Sequence, residues 1–459
     1  MALLLHYTGQ DYISRGLLNT ELTPGSTSAI VGGCKTGKGF AFDGTANSAL
    51  DVNNIGIPMP TEFTVSCWVK VNDIVGGKTI WTNGGLSNSG FLIDIQSTNI
   101  RIVSYNTSNV AYLIETGSGF AETNKWYHIV AGVRDNKTFL YIDKTFIGET
   151  IIPGTIRPEF EPIIGLRTGR RNPMYGQICN FKYYDHALST KEIREDYKSL
   201  ILHYPLNKAI TDTVLDVSGF QRHITNLTNN TVTLDSNSQV YSASLKNDGT
   251  QALVGTSDLT DLNGLNELSI SFWVYKTNAN TEAILTNRTI VGKGISIFIF
   301  NTQIHVDISS RNVYSYTLPL NEWVNICITQ SATEQKLYAN GVLVSTMTPS
   351  SLSGIGNYTS ISNSNVSGGE IQRKLNGNVQ DIRFYATALT EDDVKNLYNT
   401  RHSIDKNGNY YTYELIEGQT RVGMKKNGQT KCDEIIENED GSFSIKSDTT
   451  IKVNNIKEI

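Results

Sequence analysis

The stretch Gly176-Gln-Ile-Cys-Asn-Phe-Lys-Tyr-Tyr-Asp-His-Ala-Leu-Ser-Thr-Lys-Glu-Ile-Arg-Glu-Asp-Tyr197 returns as Gly377-Asn-Val-Gln-Asp-Ile-Arg-Phe-Tyr-Ala-Thr-Ala-Leu-Thr-Glu-Asp-Asp-Val-Lys-Asn-Leu-Tyr398, 201 residues on and without a gap. Each copy opens as an alternating strand, with Ile178, Asn180 and Lys182 on one side and Cys179, Phe181 and Tyr183 on the other. The chain then passes Ala-Leu and starts a short helix. Ser189 with Glu192 three residues later is a capping-box pattern, and Thr390 with Asp393 is its acidic variant. Ile193 and Tyr197 in one copy, and Val394, Leu397 and Tyr398 in the other, give each helix one apolar stripe. A strand and helix repeated this closely mark the ends of two copies of one module.

Working outward, more of the repeat appears. Leu3–Tyr7 matches Leu200–Tyr204, so the apolar start of the chain reads as a first strand and not as a signal peptide, for which it is too short and lacks basic residues. Phe63-Thr-Val-Ser-Cys-Trp-Val-Lys70 matches Leu268-Ser-Ile-Ser-Phe-Trp-Val-Tyr275 and has the alternation of a half-buried strand. Trp81 stands where the second copy has Leu285, which favours core packing over stacking on a sugar. Strands opened by Trp126 and Trp323 have partner strands at Phe139–Ile142 and Lys336–Ala339, which turn at Asp143-Lys144 and Asn340-Gly341. Asn-Gly suits a tight hairpin because both residues take positive φ; Lys144 in the glycine place predicts a turn that is strained or differently shaped.

The modules therefore span 1–199 and 200–400, and the reading is all-β: two tandem antiparallel sandwiches. From 401 to 459 the texture changes to short Asn-Gly hairpin signals, with Lys406-Asn-Gly and Glu414-Leu-Ile-Glu417 recurring as Lys426-Asn-Gly and Glu434-Ile-Ile-Glu437. So small a β region is expected to pack on the second module or to assemble with copies of itself.

Composition fits. Charged residues are 18% of the chain, while Gly (39) and Tyr (22) are plentiful. The net charge of −5 argues against nucleic acid or an anionic membrane as the main partner, and no run has the length of a membrane-spanning helix. Cys34, Cys67, Cys179, Cys327 and Cys432 are an odd, widely spaced set without Cys-x-x-Cys, which reads as buried free thiols in a reducing compartment.

Few constellations promise chemistry. Gly32-Gly-Cys-Lys-Thr-Gly-Lys-Gly39 imitates a phosphate loop, but it lacks the final Ser/Thr and leads into a strand where a helix is required. No His-Glu-x-x-His occurs, and a lone strand histidine is more often a hydrogen-bonded core residue than a ligand. Glycoside cleavage needs two carboxylates held across the bond, and no closely alternating acids lie on one strand. Asp94 stands alone in Phe91–Ile95, and Glu192, Glu195 and Asp196 are expected to be solvated on the closing helix. No enzymatic activity is expected. Asp43 and Asp248 each precede Gly-Thr and have two readings: each caps its own turn, or each helps hold Ca²⁺ with loop carbonyls. No other cofactor is expected. The loops 83–90, 167–175, 287–294 and 362–374 are polar and rich in glycine or asparagine, at strand ends where sandwiches carry binding functions. Asn83, Asn88, Arg167, Arg170, Arg171, Asn287 and Asn363 are their candidate ligand-binding residues.

Phe63–Trp68, Trp126–Val130 with Tyr141-Ile-Asp143, and Gly176–Tyr183 followed by Ala-Leu-Ser and a helix resemble laminin-G-like modules of the concanavalin-A-like jelly-roll superfamily. The resemblance covers both modules. It implies two packed antiparallel sheets with the closing helix tucked against one edge, and a role in binding glycans or protein surfaces, often through Ca²⁺. The repeats after the second module are similar to the tails of tailed-bacteriophage virion proteins. That similarity implies a fibre or decoration subunit assembled in the host cytoplasm, a homo-oligomer such as a trimer, with other virion proteins and host-surface carbohydrate as partners. Two alternatives stand beside it: a bacterial surface or secreted carbohydrate-binding protein, and an architectural subunit without a ligand.

Overall fold

Branched and aromatic residues in alternation, cut by Asn-Gly and Asp-Gly turns, make strands throughout the chain. The structure is a computed structural model. It describes residues 2–404 except 54–60, 85–89, 155, 157–161, 229–231, 242, 251, 290–292, 301–302 and 364–372, together with backbone strands between 410 and 446. Two compact units emerge, one of Met1–Ser199 with Asp261–Leu265 and one of Leu200–Thr260 with Asn266–Ile459.

The first unit is a sandwich of an eight-stranded and a seven-stranded antiparallel sheet. In the first sheet Phe63–Val71 lies between Trp126–Arg134 and Tyr175–Tyr184, and Leu3–Tyr7 pairs with the end of Tyr175–Tyr184. The second sheet runs Ala111–Glu115, Asn99–Tyr105, Phe91–Gln96, Gly77–Thr82, Ile163–Ile164, Leu50–Val52 and Leu22–Pro24. The core between them takes Phe63, Val65 and Val69 from one sheet and Ile80, Trp81 and Ile93 from the other. Trp81 is thus a core residue, beside Phe91, Phe181 and Tyr183.

The second unit repeats the plan. Leu268–Lys276 lies between Trp323–Gln330 and Asn376–Tyr385, with Leu200–Tyr204 paired to the last of these. Its seven-stranded sheet ends in Glu282–Asn287, Ile295–Phe300, Gln303–Ile308 and Arg311–Thr317. Beyond it, Thr400–Ile404, Tyr410–Leu415, Val422–Lys426 and Gln429–Cys432 form a four-stranded sheet, and Glu434–Glu437 pairs with Phe443–Lys446. No helix among the described residues is long and apolar enough to cross a membrane.

Three local expectations need correction. The strand Phe63–Val71 is buried on both faces, not one. Its outer face lies under the closing helix α1 (Thr190–Lys198), whose Ile193 packs on Val130, Phe139 and Tyr141. That helix therefore covers the face of the sheet and not its edge. Third, simple alternation fails in Tyr175–Tyr184. Asn180, at φ 51°, is a bulge, and it brings Ile178 to the core side with Phe181 and Tyr183. Asp381 repeats the bulge at φ 57°. Of the two readings of the Asp143-Lys144 turn the strained one holds: it takes the same shape as Asn340-Gly341, with all four residues at positive φ, so the lysine bears the strain.

Both capping boxes form. Glu192 N donates to Ser189 Oγ at 3.3 Å, and Asp393 N donates to Thr390 Oγ1 at 3.2 Å. The glycines that open the repeated stretch have a steric cause. A Cβ on Gly176 would lie 2.0 Å from the Lys70 carbonyl oxygen, and one on Gly377 would lie 1.9 Å from that of Tyr275. The phosphate-loop imitation is a β-hairpin, Ala29–Cys34 paired with Gly37–Asp43.

Candidate functional site

The candidate residues at the strand ends mostly hold their own loops. Asn83 is buried, and its Oδ1 accepts from Phe91 N at 2.7 Å. Asn287 is also buried; its Nδ2 donates to Gly356 O and Thr359 Oγ1, and its Oδ1 accepts from Gly356 N at 2.8 Å. Backbone groups leaving a sheet need partners, and these amides supply them. Asn363 is buried too, and Asn88 lies outside the described residues. Arg167 and Arg171 close a small loop through their backbones, and Arg170 and Arg171 are exposed on it.

Asp43 and Asp248 each cap their own turn. Asp43 Oδ1 accepts from Thr45 N at 2.8 Å and Thr45 Oγ1 at 2.7 Å, and Asp248 Oδ1 repeats this with Thr250 at 2.8 and 2.5 Å. The Thr45 hydroxyl above all holds the Asp43 carboxyl down at about 2. Among the described residues no group of three or more His, Cys, Asp or Glu side chains is placed to hold a metal ion.

A charged network missed in the sequence lies under α1. Asp196, expected in solvent, is buried. Its Oδ1 accepts from Lys182 Nζ at 2.5 Å, and its Oδ2 meets His128 Nε2 at 3.1 Å and accepts from Ser66 Oγ. Burial alone would raise its pKa, but Lys182 and His128 outweigh that and hold it well below the usual carboxylate range. Trp68 Nε1 donates to Ser199 Oγ at 2.7 Å beside it. The sequence signal was there to be read: Ser66, Trp68 and Lys182 are polar-tipped residues on strands that the helix must cover. Cys34 and Cys179, both buried free cysteines, pack with Trp68 on the same face.

Two further surfaces face outward from the seven-stranded sheets. In the first unit Asp94, isolated in sequence, is buried and forked by Arg101, with Nε to Oδ1 at 2.6 Å and Nη2 to Oδ2 at 3.0 Å. In the second unit Asp307 is forked by Arg311 at 2.8 and 2.9 Å, and Arg288 approaches to 4.0 Å. The guanidiniums of Arg311 and Arg373 lie over the Phe298 ring, 5.0 and 5.5 Å from its centre. His305 packs against Phe298 at 4.8 Å and Phe300 at 5.6 Å, and neither of its ring nitrogens has a hydrogen-bond partner among the described residues. Phe300 is exposed. Arginines, a carboxylate and an exposed aromatic ring on the outer face of a sheet can grip oxygen atoms in pairs and cover an apolar ring face.

The second unit also holds a cleft of about 450 Å³ beside Leu200–Tyr204, with His203 and Tyr241 in its lining. His203 Nε2 lies 2.7 Å from Asp381 Oδ1, which also accepts from Tyr241 Oη and Arg383 Nε, each at 2.9 Å.

The family model described as the concanavalin A-like lectin/glucanases superfamily matches residues 43–194 and again 248–395. None of the curated proteins matches the chain. Among solved structures it is similar to the receptor-binding domain of botulinum neurotoxin type G, at 11% identity and TM-score 0.37 over 92% of this chain and 88% of that one. It is also similar to the binding domain of paraclostridial mosquitocidal protein 1, at 14% and 0.38 over 97% and 91%. Domain 4 of the arabinanase AbnA from Geobacillus stearothermophilus, solved with arabinotriose, aligns at 18% and 0.34 over 44% of this chain and 98% of its own.

Proposed function

We infer, for a chain that belongs to the concanavalin A-like lectin/glucanases superfamily, that its sandwich units bind carbohydrate without cleaving it. We infer further that it serves as a head or tail fibre or decoration subunit of a bacteriophage virion. The observation that carries the binding half is the face around Phe298. Arg311 and Arg373 hold planar donors over one ring, and Phe300 stands exposed next to it. Saccharide oxygens take paired N–H donors, and the C–H face of a sugar ring covers an aromatic one. Among the described residues, Arg288, Arg311 and Arg373 stand with the carboxylate of Asp307, and this excess of cations favours a glycan that carries acidic groups. Binding is favoured over cleavage because Asp94 and Asp307 each give both oxygens to an arginine, so neither is aimed at a ligand as a proton donor.

The virion half is supported by the similarity of the region after residue 401 to the tails of phage virion proteins. The expected setting is assembly in the host cytoplasm as a homo-oligomer. Two measurements test the two halves. The full chain should retain acidic glycans on an array, and the Arg311→Ala, Arg373→Ala double variant should lose at least about tenfold in affinity. Binding to no glycan, or equal binding by the variant, refutes the carbohydrate reading. Mass spectrometry of purified particles should find the chain, and its absence there refutes the virion reading.

A further inference from the structure

The cleft beside His203 differs in chemistry from the arginine face, and it stands independently of the glycan reading. Leu206, Ile210, Val214, Leu215 and Val217 make its walls apolar. Leu215 is 58% exposed and Val217 56%, so the rim presents aliphatic surface that the core does not use. Polar groups line the cleft as well: Asn207, Lys208, Thr213, Tyr241 and the His203 ring. Asp381 also accepts from Arg383 and Tyr241, and this fixes the proton of His203 on Nε2. Nδ1 is then an acceptor, and it has no hydrogen-bond partner among the described residues. Burial and the nearby Arg383 lower the pKa of the ring, which keeps it neutral.

We propose that this cleft binds a small ligand with an apolar body and one hydrogen-bond donor, of the phenol or indole class, whose donor meets His203 Nδ1. The volume of about 450 Å³ falls in the range of small-molecule sites. A hexose suits it less well, because several of its hydroxyls would lose water against Leu206, Ile210, Val214, Leu215 and Val217. At the matching place in the first unit His6 is 4% exposed and its Nε2 lies 2.8 Å from Asn180 Oδ1.

The test uses the full chain and titration calorimetry with 1-naphthol, 1-methoxynaphthalene and glucose. 1-Naphthol should bind saturably with one site and at least tenfold more tightly than its methyl ether, and glucose should not bind at the cleft. The Leu215→Arg, Val217→Arg double variant should lose 1-naphthol binding without a change in melting temperature, since both side chains are exposed. Leu215→Trp, which fills the cleft without adding charge, should give the same loss. Equal binding of the two naphthalenes, binding undiminished in the folded variants, or no saturable binding would each overturn the proposal.

Discussion

His203 Nε2 lies 2.7 Å from Asp381 Oδ1, and at the matching place in the first unit His6 Nε2 lies 2.8 Å from Asn180 Oδ1. The bulge and the histidine repeat, but the charge does not. In the second unit the anion is Asp381, bonded to Arg383 on the same strand. In the first unit the bulge residue is neutral, and the anion is Asp196 on the closing helix, bonded to Lys182. Position 397, which matches 196, is Leu397. Each unit thus pairs a buried carboxylate with a cation on the matching strand, Lys182 or Arg383, and takes the anion from a different element.

Asp381→Asn should destabilise the second unit by about 3 kcal/mol, because it leaves the buried Arg383 without its anion. Arg383→Met added to it should recover most of the loss. Chemical denaturation measures both, and a single variant within about 0.5 kcal/mol of the native chain would contradict the assignment.

Asp196 should make stability depend on pH at the acid end. Its folded pKa lies below the unfolded value of about 3.9, so its contribution is complete above that value and is lost as pH falls toward the folded pKa. Between about pH 4 and pH 2 the native chain should therefore lose more stability than the Asp196→Leu, Lys182→Met variant, which copies the apolar helix position of the second unit. Parallel curves for the two proteins would show that Asp196 is not the group responsible.

Gly377→Ala should lower the melting temperature by about 10 °C, as expected if the added methyl costs about 3 kcal/mol. The new Cβ would meet the Tyr275 carbonyl oxygen at 1.9 Å, and backbone cannot yield as a side chain can. Gly249→Ala is the contrast: its Cβ would meet only the Asn376 side chain, at 3.5 Å, and its cost is that of φ 82°.

Chelation with EDTA should leave the melting temperature unchanged, because Asp43 and Asp248 are engaged by their own threonines. Asp43→Ala should cost about 1 kcal/mol, the worth of the lost turn bonds. A fall in melting temperature on chelation that Asp43→Ala abolishes would restore the Ca²⁺ reading.

Removing residues 403–459 should lower the mass found by light scattering, if that region joins copies of the chain. An unchanged mass would refute the assembly role.

Much of the fold was legible because apolar spacing and turn chemistry are local. The repeat from Gly176 and Gly377, the capping boxes and the Trp126 and Trp323 strands each follow from residues within one element. The site was less legible. Asp94, Asp196 and Asp307 look like ordinary surface acids in sequence, and their cations are supplied by neighbouring strands or, for Asp196, by a strand beneath the helix. Asn83 and Asn287 look like loop ligands, yet Asn83 is spent on the backbone of its own turn and Asn287 on Gly356 and Thr359 of a distant segment.

The sequence by itself determined that this protein is two antiparallel sandwiches, since alternation, Asn-Gly turns and a gapless repeat leave no other periodic structure. Tertiary structure alone decided which polar groups are buried and which remain to meet a ligand. Whether His6 is sealed and His203 reaches a cleft depends on what packs across each strand, and that is a property of distant segments brought together.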